Sequence, residues 1–220
     1  MYMKKAIHGR DKTGNSWVYT DIVKDHFFNP RNLLPQGQES GYEADGVGRV
    51  GSPACGDEMV IWIKVDPKTE KIKECKWQTF GCGSAIASTS MLSEMVVEKG
   101  GMTVDQAMKI SPKDIMDRLG GLPARKIHCS VLGDKALRGA INDWFRKSGQ
   151  NNRIVQESSR LVDKILKITD KDIEDAVLDG ARTWEDLDRK LKVSSGEVAA
   201  RSEIEQLLRF YSEKYFGKEN

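Results

Sequence analysis

The 220-residue sequence has little of several features that mark particular classes of protein. It has only four cysteines, too few for a small secreted domain held together by disulfides. It lacks any run of about 18 consecutive apolar residues, so no membrane-spanning helix is predicted. Its formal net charge is only +2, which gives no reason to expect nucleic acid or a membrane surface as a partner. The positively charged start has no apolar stretch behind it, so we expect no secretory signal.

The composition that is present is typical of a globular protein with a core. Hydrophobic residues make up 39% and charged residues 31% of the chain, which is long enough for one domain and a smaller second one. Three of the four cysteines lie in Gly-flanked or His-flanked settings, which favour metal or thiol chemistry in a reducing compartment. We therefore expect the chain to be cytoplasmic.

Strand and helix patterns predict an α+β domain over residues 20–148, behind a flexible extension of residues 1–19. Apolar alternation over Met59–Val65 and Ile72–Phe80 predicts a small antiparallel sheet. Helical spacing of apolar residues then dominates, and the longest predicted helix runs from Cys129 to about Lys147. The order of strands followed by helices is typical of the α+β class, with the helices packed on the sheet.

A polar break at Ser148–Asn152 separates residues 149–220, which we predict to form a small all-α domain. The expected helices cover about 154–166, 170–178, 183–191 and 199–215. Threonines at 169 and 183 are expected to cap two of them.

Cys82 lies between two glycines, at the junction of a predicted strand and a helix rich in small residues. The glycines allow a sharp turn and a close approach by a ligand. The N–H groups at the start of the helix favour the thiolate, the form that binds metals. This turn is the strongest local indication of chemistry in the chain.

Cys55 and Cys129 lie in comparable settings, each beside another metal-binding side chain. Asp57 follows Cys55 across a glycine, and His128 directly precedes Cys129. Thiolates with an oxygen or imidazole ligand suit iron–sulfur clusters or zinc, and the residues alone leave both open. Cys75 alternates with charged residues in a predicted strand and is interpreted as a small packed residue.

Three segments that carry these cysteines resemble the signature segments of the IscU/NifU-type iron–sulfur scaffold proteins. They read Gly51-Ser-Pro-Ala-Cys-Gly-Asp57, Phe80-Gly-Cys-Gly-Ser-Ala-Ile-Ala-Ser88 and Lys126-Ile-His-Cys-Ser130, and Asp25-His26 with Asn29-Pro-Arg-Asn32 resembles the opening helix of the family. The resemblance covers about residues 18–148, and the combination of motifs is highly specific.

The resemblance implies a scaffold, not an enzyme, on which a labile [2Fe–2S] cluster is assembled and then transferred. It implies Cys55, Cys82 and Cys129 as cluster or metal ligands, with Asp57 as the carboxylate that keeps the cluster labile and His128 as a further ligand. It also implies Cys129 as the acceptor of persulfide sulfur from a cysteine desulfurase. The other implied partners are recipient apo iron–sulfur proteins, with a homodimer left open.

Two departures from the family pattern limit what carries over. The family's chaperone-recognition segment corresponds here to Leu122-Pro-Ala-Arg-Lys126, with alanine in place of the second proline, so Hsp70/J-type chaperones stay an open partner. Residues 168–208 resemble a ferredoxin-like module of the bacterioferritin-associated type, but its cysteine pairs fall on Glu197 and Ala200 and near Gln156 and Ser158. The sequence therefore predicts a module that has lost its cluster and serves in docking or dimerisation.

Two other functions remain open from the sequence. One is a zinc-containing sulfur acceptor that stimulates a cysteine desulfurase, and the other is a structural zinc module. Zinc on the isolated protein would fit all three, because thiolate sites of this kind take up zinc.

Overall fold

A computed structural model describes the backbone of residues 8–10, 16–52, 57–122, 128–155 and 159–217. Side chains are described for residues 19–51, 58–122, 131–155 and 159–217. The chain divides into two compact units, Met1–Val155 and Gln156–Asn220. The sequence placed this boundary earlier, between residues 148 and 149.

The first unit contains five strands and five α-helices within the described residues. In chain order they are β1 His8–Arg10, β2 Ser16–Val18, α1 Asp21–Phe28, β3 Gly46–Ser52, β4 Asp57–Asp66, β5 Lys71–Thr79, α2 Gly83–Val97, α3 Val104–Ala107, α4 Pro112–Leu119 and α5 His128–Lys147. The second unit contains β6 Leu161–Asp163, β7 Ile168–Thr169, α6 Asp170–Leu178, α7 Trp184–Leu191 and α8 Arg201–Phe216. The predicted α+β fold, with a mainly helical C-terminal region, is confirmed.

Strands β3, β4 and β5 form an antiparallel sheet in that order. Side chains alternate between its two faces, as strand geometry requires. On one face the side chains at 59, 61 and 63 are fully buried in the main core. On the other face Val60 and Trp62 pack against Leu34. Cys75 and Trp77 are fully buried in the main core, which confirms Cys75 as a small packed residue.

Helices α2 and α5 cover the inner face of the sheet, and α5 lies directly on β3. A β-carbon added to Gly46 would stand 2.2 Å from the carbonyl oxygen of Ala140, and one added to Gly48 would stand 1.9 Å from that of Ala136. The two elements can be this close only because the strand has no side chains there. Two residues forward along β3 correspond to four residues backward along α5, so strand and helix run in opposite directions.

Thr169 and Thr183 cap α6 and α7, as the sequence predicted. Thr20 caps α1, and further capping boxes form at Thr103 and Ser111. In each box the cap hydroxyl accepts an N–H of the first turn while the third helical residue bonds back to the cap N–H. These helix boundaries are therefore determined by local chemistry.

The helix predicted over about 154–166 is wrong. Strand β6 lies in that range instead and pairs antiparallel with β7 just beyond it, and Val155 belongs to the first unit. The backbone N–H and carbonyl of Val155 both bond to the side chain of Asn142, at 3.0 Å and 2.8 Å. The carboxylate of Asp163 accepts the N–H of Leu166 at 2.8 Å and stabilises the turn between the strands. A contact to Asn142, 13 positions away, at one end and a local turn at the other thus override the apolar spacing.

Two short strands lie in the N-terminal region where the sequence predicted no secondary structure. β1 and β2 pair antiparallel, with Gly9 opposite Trp17. Strands of three residues are too short for a period-two pattern to be recognised.

Among the described residues, no helix combines the length and apolar character needed to cross a bilayer.

Candidate metal centre

Cys82 is the N-cap residue of α2, in the turn that joins β5 to this helix. The turn is fixed on both sides. The Gly81 N–H donates to the Thr79 hydroxyl at 3.0 Å, and a β-carbon on Gly83 would lie 3.2 Å from the ring of Phe27. Cys82 is half-buried, partly packed against the main core. Its thiol is thereby presented at the positive end of a 15-residue helix, the setting predicted from the sequence.

The start of β4 lies at the same edge of the sheet as the Cys82 turn. The Glu58 carbonyl oxygen accepts the Phe80 N–H at 3.1 Å and the Thr79 hydroxyl at 2.7 Å. Asp57 is the first residue of β4 and pairs with Ser52, the last residue of β3. The backbone of Asp57 therefore lies at the edge where β5 leads into the cysteine turn. Its side chain lies outside the described residues.

Cys55 belongs to the four residues that connect Ser52 to Asp57, and these lie outside the described residues. The strand residues on either side are paired with one another. Both ends of this connection are thus held at the sheet edge described above.

Residues His128 and Cys129 begin α5. Because α5 runs opposite to β3, its first residues lie toward the end of the strand at Ser52. Helix α2 begins at this same edge, because it follows the Cys82 turn at the end of β5. It packs against α5, since a β-carbon on Gly133 would stand 3.2 Å from side-chain atoms of Thr89 and of Leu92 in α2. The N-termini of α2 and α5 are therefore at the same end of the first unit. The side chains of His128 and Cys129 lie outside the described residues.

The topology thus brings together the backbone ends of the segments that carry all five predicted site residues. Within the described side chains, no group of three or more His, Cys, Asp or Glu could by itself hold a metal ion. Only Cys82, of the five, has a described side chain.

Cys75 is separate from this edge in both position and chemistry. Burial raises the pKa of its thiol to about 12, so it stays protonated and is a poor metal ligand.

His26 in α1 is a second buried polar residue, and its Nδ1 lies 2.8 Å from the hydroxyl of Ser90 in α2. Burial lowers the pKa of His26, and the nearby Arg31 charge lowers it further. The neutral imidazole is therefore the form that packs in the core.

Comparison with known protein families gives a match that lies within the first unit. Residues 18–151 match the family model described as the NifU-like N-terminal domain. The iron–sulfur cluster assembly scaffold protein IscU of Aquifex aeolicus is 46% identical over 148 residues, or 67% of this chain and 87% of that protein. The IscU 1 scaffold of Archaeoglobus fulgidus is 50% identical over 137 residues, or 62% and 83%.

The chain belongs to the family of NifU-like N-terminal domains. A relative with a longer match is the nitrogen fixation protein NifU of Azotobacter chroococcum, 40% identical over 193 residues. That match covers 87% of this chain but 59% of NifU, so the chain spans little more than half of that relative. A match of this length extends beyond the family domain into the second unit. The crystal structure of the N-terminal part of a nitrogen-fixing NifU-like protein from Brucella abortus is 14% identical, with a TM-score of 0.37, and covers 62% of this chain and 95% of that one.

In the second unit, the positions predicted to replace a cysteine pair make other contacts. The Glu197 N–H donates to the buried Asp163 carboxylate at 2.7 Å. Ala200 is buried at the start of α8. Gln156 and Ser158, the other pair, lie outside the described residues. A hydrogen-bonded carboxylate therefore links the β6–β7 hairpin to the turn before α8.

Proposed function

We propose that this chain is a scaffold on which a [2Fe–2S] cluster is assembled and from which it passes to apo-proteins. Iron and sulfur are the substrates, and the sulfur comes from a cysteine desulfurase. The two IscU relatives named above are scaffold proteins for iron–sulfur cluster assembly. The observation that carries the proposal is the meeting of β3, β4, α2 and α5 at the edge of the Cys82 turn.

The roles proposed for the site follow from ligand chemistry. Cys55, Cys82 and Cys129 supply the soft thiolates that iron–sulfur clusters require. Asp57 supplies a hard oxygen ligand that weakens one corner of the cluster, and His128 is a further ligand. Cys129 first accepts sulfane sulfur as a persulfide, and the desulfurase cysteine leaves as a thiol. Reduction of this sulfur to sulfide takes two electrons per sulfur, which ferrous iron and a thiol reductant supply together. Reduced thiols are needed throughout, which fits a cytoplasmic setting.

The test is anaerobic reconstitution of the full chain with ferrous iron, cysteine, a cysteine desulfurase and a thiol reductant. A scaffold gains visible charge-transfer bands, with iron and sulfide in about equal amounts. Cys82→Ser should lose the bands. Cys75→Ala is the matched control and should keep them, because Cys75 is buried in the core away from the site.

A chain that stays colourless after reconstitution would overturn the scaffold proposal. If it then carried zinc and a persulfide on Cys129, it would be a sulfur acceptor for the desulfurase. Unreactive zinc without persulfide would identify a structural zinc module.

A further inference from the structure

Tyr19 bonds to the helix that follows the Cys82 turn. Its hydroxyl and the Ser84 hydroxyl are hydrogen-bonded at 2.6 Å, across 65 positions of sequence. Ser84 is fully buried and lies in the first turn of α2, two residues after Cys82. The segment that precedes α1 therefore holds the first turn of α2 in place.

Thr20, the next residue, bonds to a different segment. Its hydroxyl donates to the Leu119 carbonyl at 2.6 Å and accepts the Val23 N–H at 3.1 Å. Its methyl group would lie 3.4 Å from a β-carbon on Gly120, the left-handed residue that ends α4. Leu119 and Gly120 begin the connection from α4 to the start of α5 at His128. Thr20 therefore fixes where that connection leaves α4.

Helix α1 packs against α2, so Tyr19 and Thr20, which directly precede α1, are themselves held in position. The Phe27 ring lies against Gly83, and the His26 imidazole contacts the Ser90 hydroxyl. A short stretch, residues 19–28, thus contacts both the Cys82 turn and the residues that lead toward Cys129.

We propose that Tyr19 and Thr20 are positioning residues for the bound cluster. Their hydroxyls set the spacing between the Cys82 turn and the connection that leads to Cys129. The inference rests on the proposed scaffold function and names which residues outside the ligand set control that site.

These hydrogen bonds should matter more for the bound cluster than for folding, because folding tolerates small local displacements that metal ligation does not. Loss of one neutral hydrogen bond changes stability modestly, whereas a metal site works only when its ligands are held to within about 0.5 Å. Loosening the Cys82 turn should therefore affect cluster retention more than it affects folding.

The first test measures loss of the reconstituted cluster to an excess of iron chelator, followed by the visible bands. Tyr19→Phe and Ser84→Ala should each speed the loss about fivefold, the scale of one hydrogen bond. The double variant should be no faster than either single one, because both remove the same bond. Thr20→Val should also speed the loss.

Matched controls remove comparable bonds away from the site. Tyr42→Phe deletes a hydroxyl that donates to Glu74 at 3.0 Å, within the same unit. Thr103→Val deletes a helix cap at α3, as Thr20→Val does at α1. Both controls should retain the cluster as the unmodified chain does. Equal retention by Tyr19→Phe and Tyr42→Phe would overturn the proposal.

A second test needs no cluster. A suitable reaction is the alkylation of Cys82 by iodoacetamide in the metal-free chain, followed by mass spectrometry. It should be about threefold faster in Tyr19→Phe, a change that corresponds to somewhat less than the free energy of one hydrogen bond. Buried Cys75 is the internal reference and should stay unreactive. An unchanged Cys82 rate, or Cys75 reacting as well, contradicts a local positioning role. If the unmodified chain assembles no cluster, the scaffold proposal fails while this test still decides the role of Tyr19.

Discussion

Gly48 in β3 lies so close to Ala136 in α5 that a β-carbon on the glycine would stand 1.9 Å from the alanine carbonyl oxygen. The neighbouring atom is backbone, which cannot turn aside as a flexible side chain can. The contact therefore fixes how closely the longest helix of the first unit lies on its sheet.

Gly48→Ala should destabilise the first unit by about 1–3 kcal/mol or more, because α5 must move off β3. Urea unfolding followed by circular dichroism measures the loss. Gly51→Ala in the same strand is the control, since Gly51 is exposed and a β-carbon there meets nothing within 4 Å. Equal stability of the two variants would show that the helix adjusts freely.

His26 should make the stability of the first unit depend on pH. Its pKa is lowered in the folded state, mainly by burial and then by the Arg31 charge. The unfolded chain therefore binds more protons below about pH 6.5, and stability falls as pH drops below that value. His26→Asn keeps a partner for the Ser90 hydroxyl but cannot titrate.

The measurement for His26 is urea unfolding of the metal-free chain at several pH values between 8 and 5. The difference in slope between the unmodified chain and His26→Asn isolates this residue from the other two histidines. The variant should show the shallower slope, and parallel curves would contradict the assignment.

A fragment of residues 1–155 should fold and assemble a cluster, while a fragment of residues 1–150 should be less stable. Arg153 bonds to Glu70 at 2.9 Å and to Asp105 at 2.8 Å, and its guanidinium lies 4.4 Å from the centre of the Phe145 ring. These partly exposed contacts together contribute about 1–2 kcal/mol. The two fragments are compared by thermal unfolding, with Arg153→Ala in the longer fragment as control. A longer fragment that folds but holds no cluster would assign the second unit a part in the site.

Asp163→Asn should destabilise the second unit by about 1–3 kcal/mol. The carboxylate accepts N–H groups from Leu166 and Glu197, and an amide can accept only one of them while facing the other with its own N–H. Asp179→Asn is the control, because its pair with Lys190 is exposed and contributes little.

The same carboxylate gives a pH signature. Burial works against the charged form of Asp163, but backbone hydrogen bonds from Leu166, Glu197 and Ile165 together outweigh it and hold the pKa below its usual range. Its contribution is therefore complete above about pH 4 and is lost as pH falls further. Acid unfolding of residues 156–220, followed in the full chain by hydrogen exchange, should lose this transition in Asp163→Asn.

Asp57→Ala should make a reconstituted cluster more persistent and slow its transfer to an apo-ferredoxin. The reason is that removal of a weak oxygen ligand removes the labile corner. Transfer is followed by circular dichroism in the visible range. Glu58→Ala is the control, since Glu58 pairs with Arg49 on the surface. Faster transfer from Asp57→Ala would contradict the role proposed for this residue.

Local chemistry made much of the fold predictable from sequence. Caps such as Thr103 and Thr183 act on residues three positions away, so a short stretch of sequence is enough to predict them. The alternation around Cys75 separated a core cysteine from the other three for the same reason.

The missed features depend on partners far along the chain. The hydrogen bonds of Val155 to Asn142 exclude a helix that the apolar spacing favoured. Tyr19 and Ser84 are 65 positions apart, and neither lies in a sequence pattern that predicts the other as its hydrogen-bond partner. The ligand assignments of Cys55, Asp57, His128 and Cys129 stay predictions from the sequence.

The contact between β3 and α5 also orders events during synthesis on the ribosome. Gly46 and Gly48 are made about ninety residues before the helix that covers them. Until α5 has emerged, the β3 side of that face has no helix packed on it, and contacts across such long separations form slowly. The nascent chain should therefore depend on late closure by α5, and a stall in translation before residue 147 would leave an aggregation-prone intermediate.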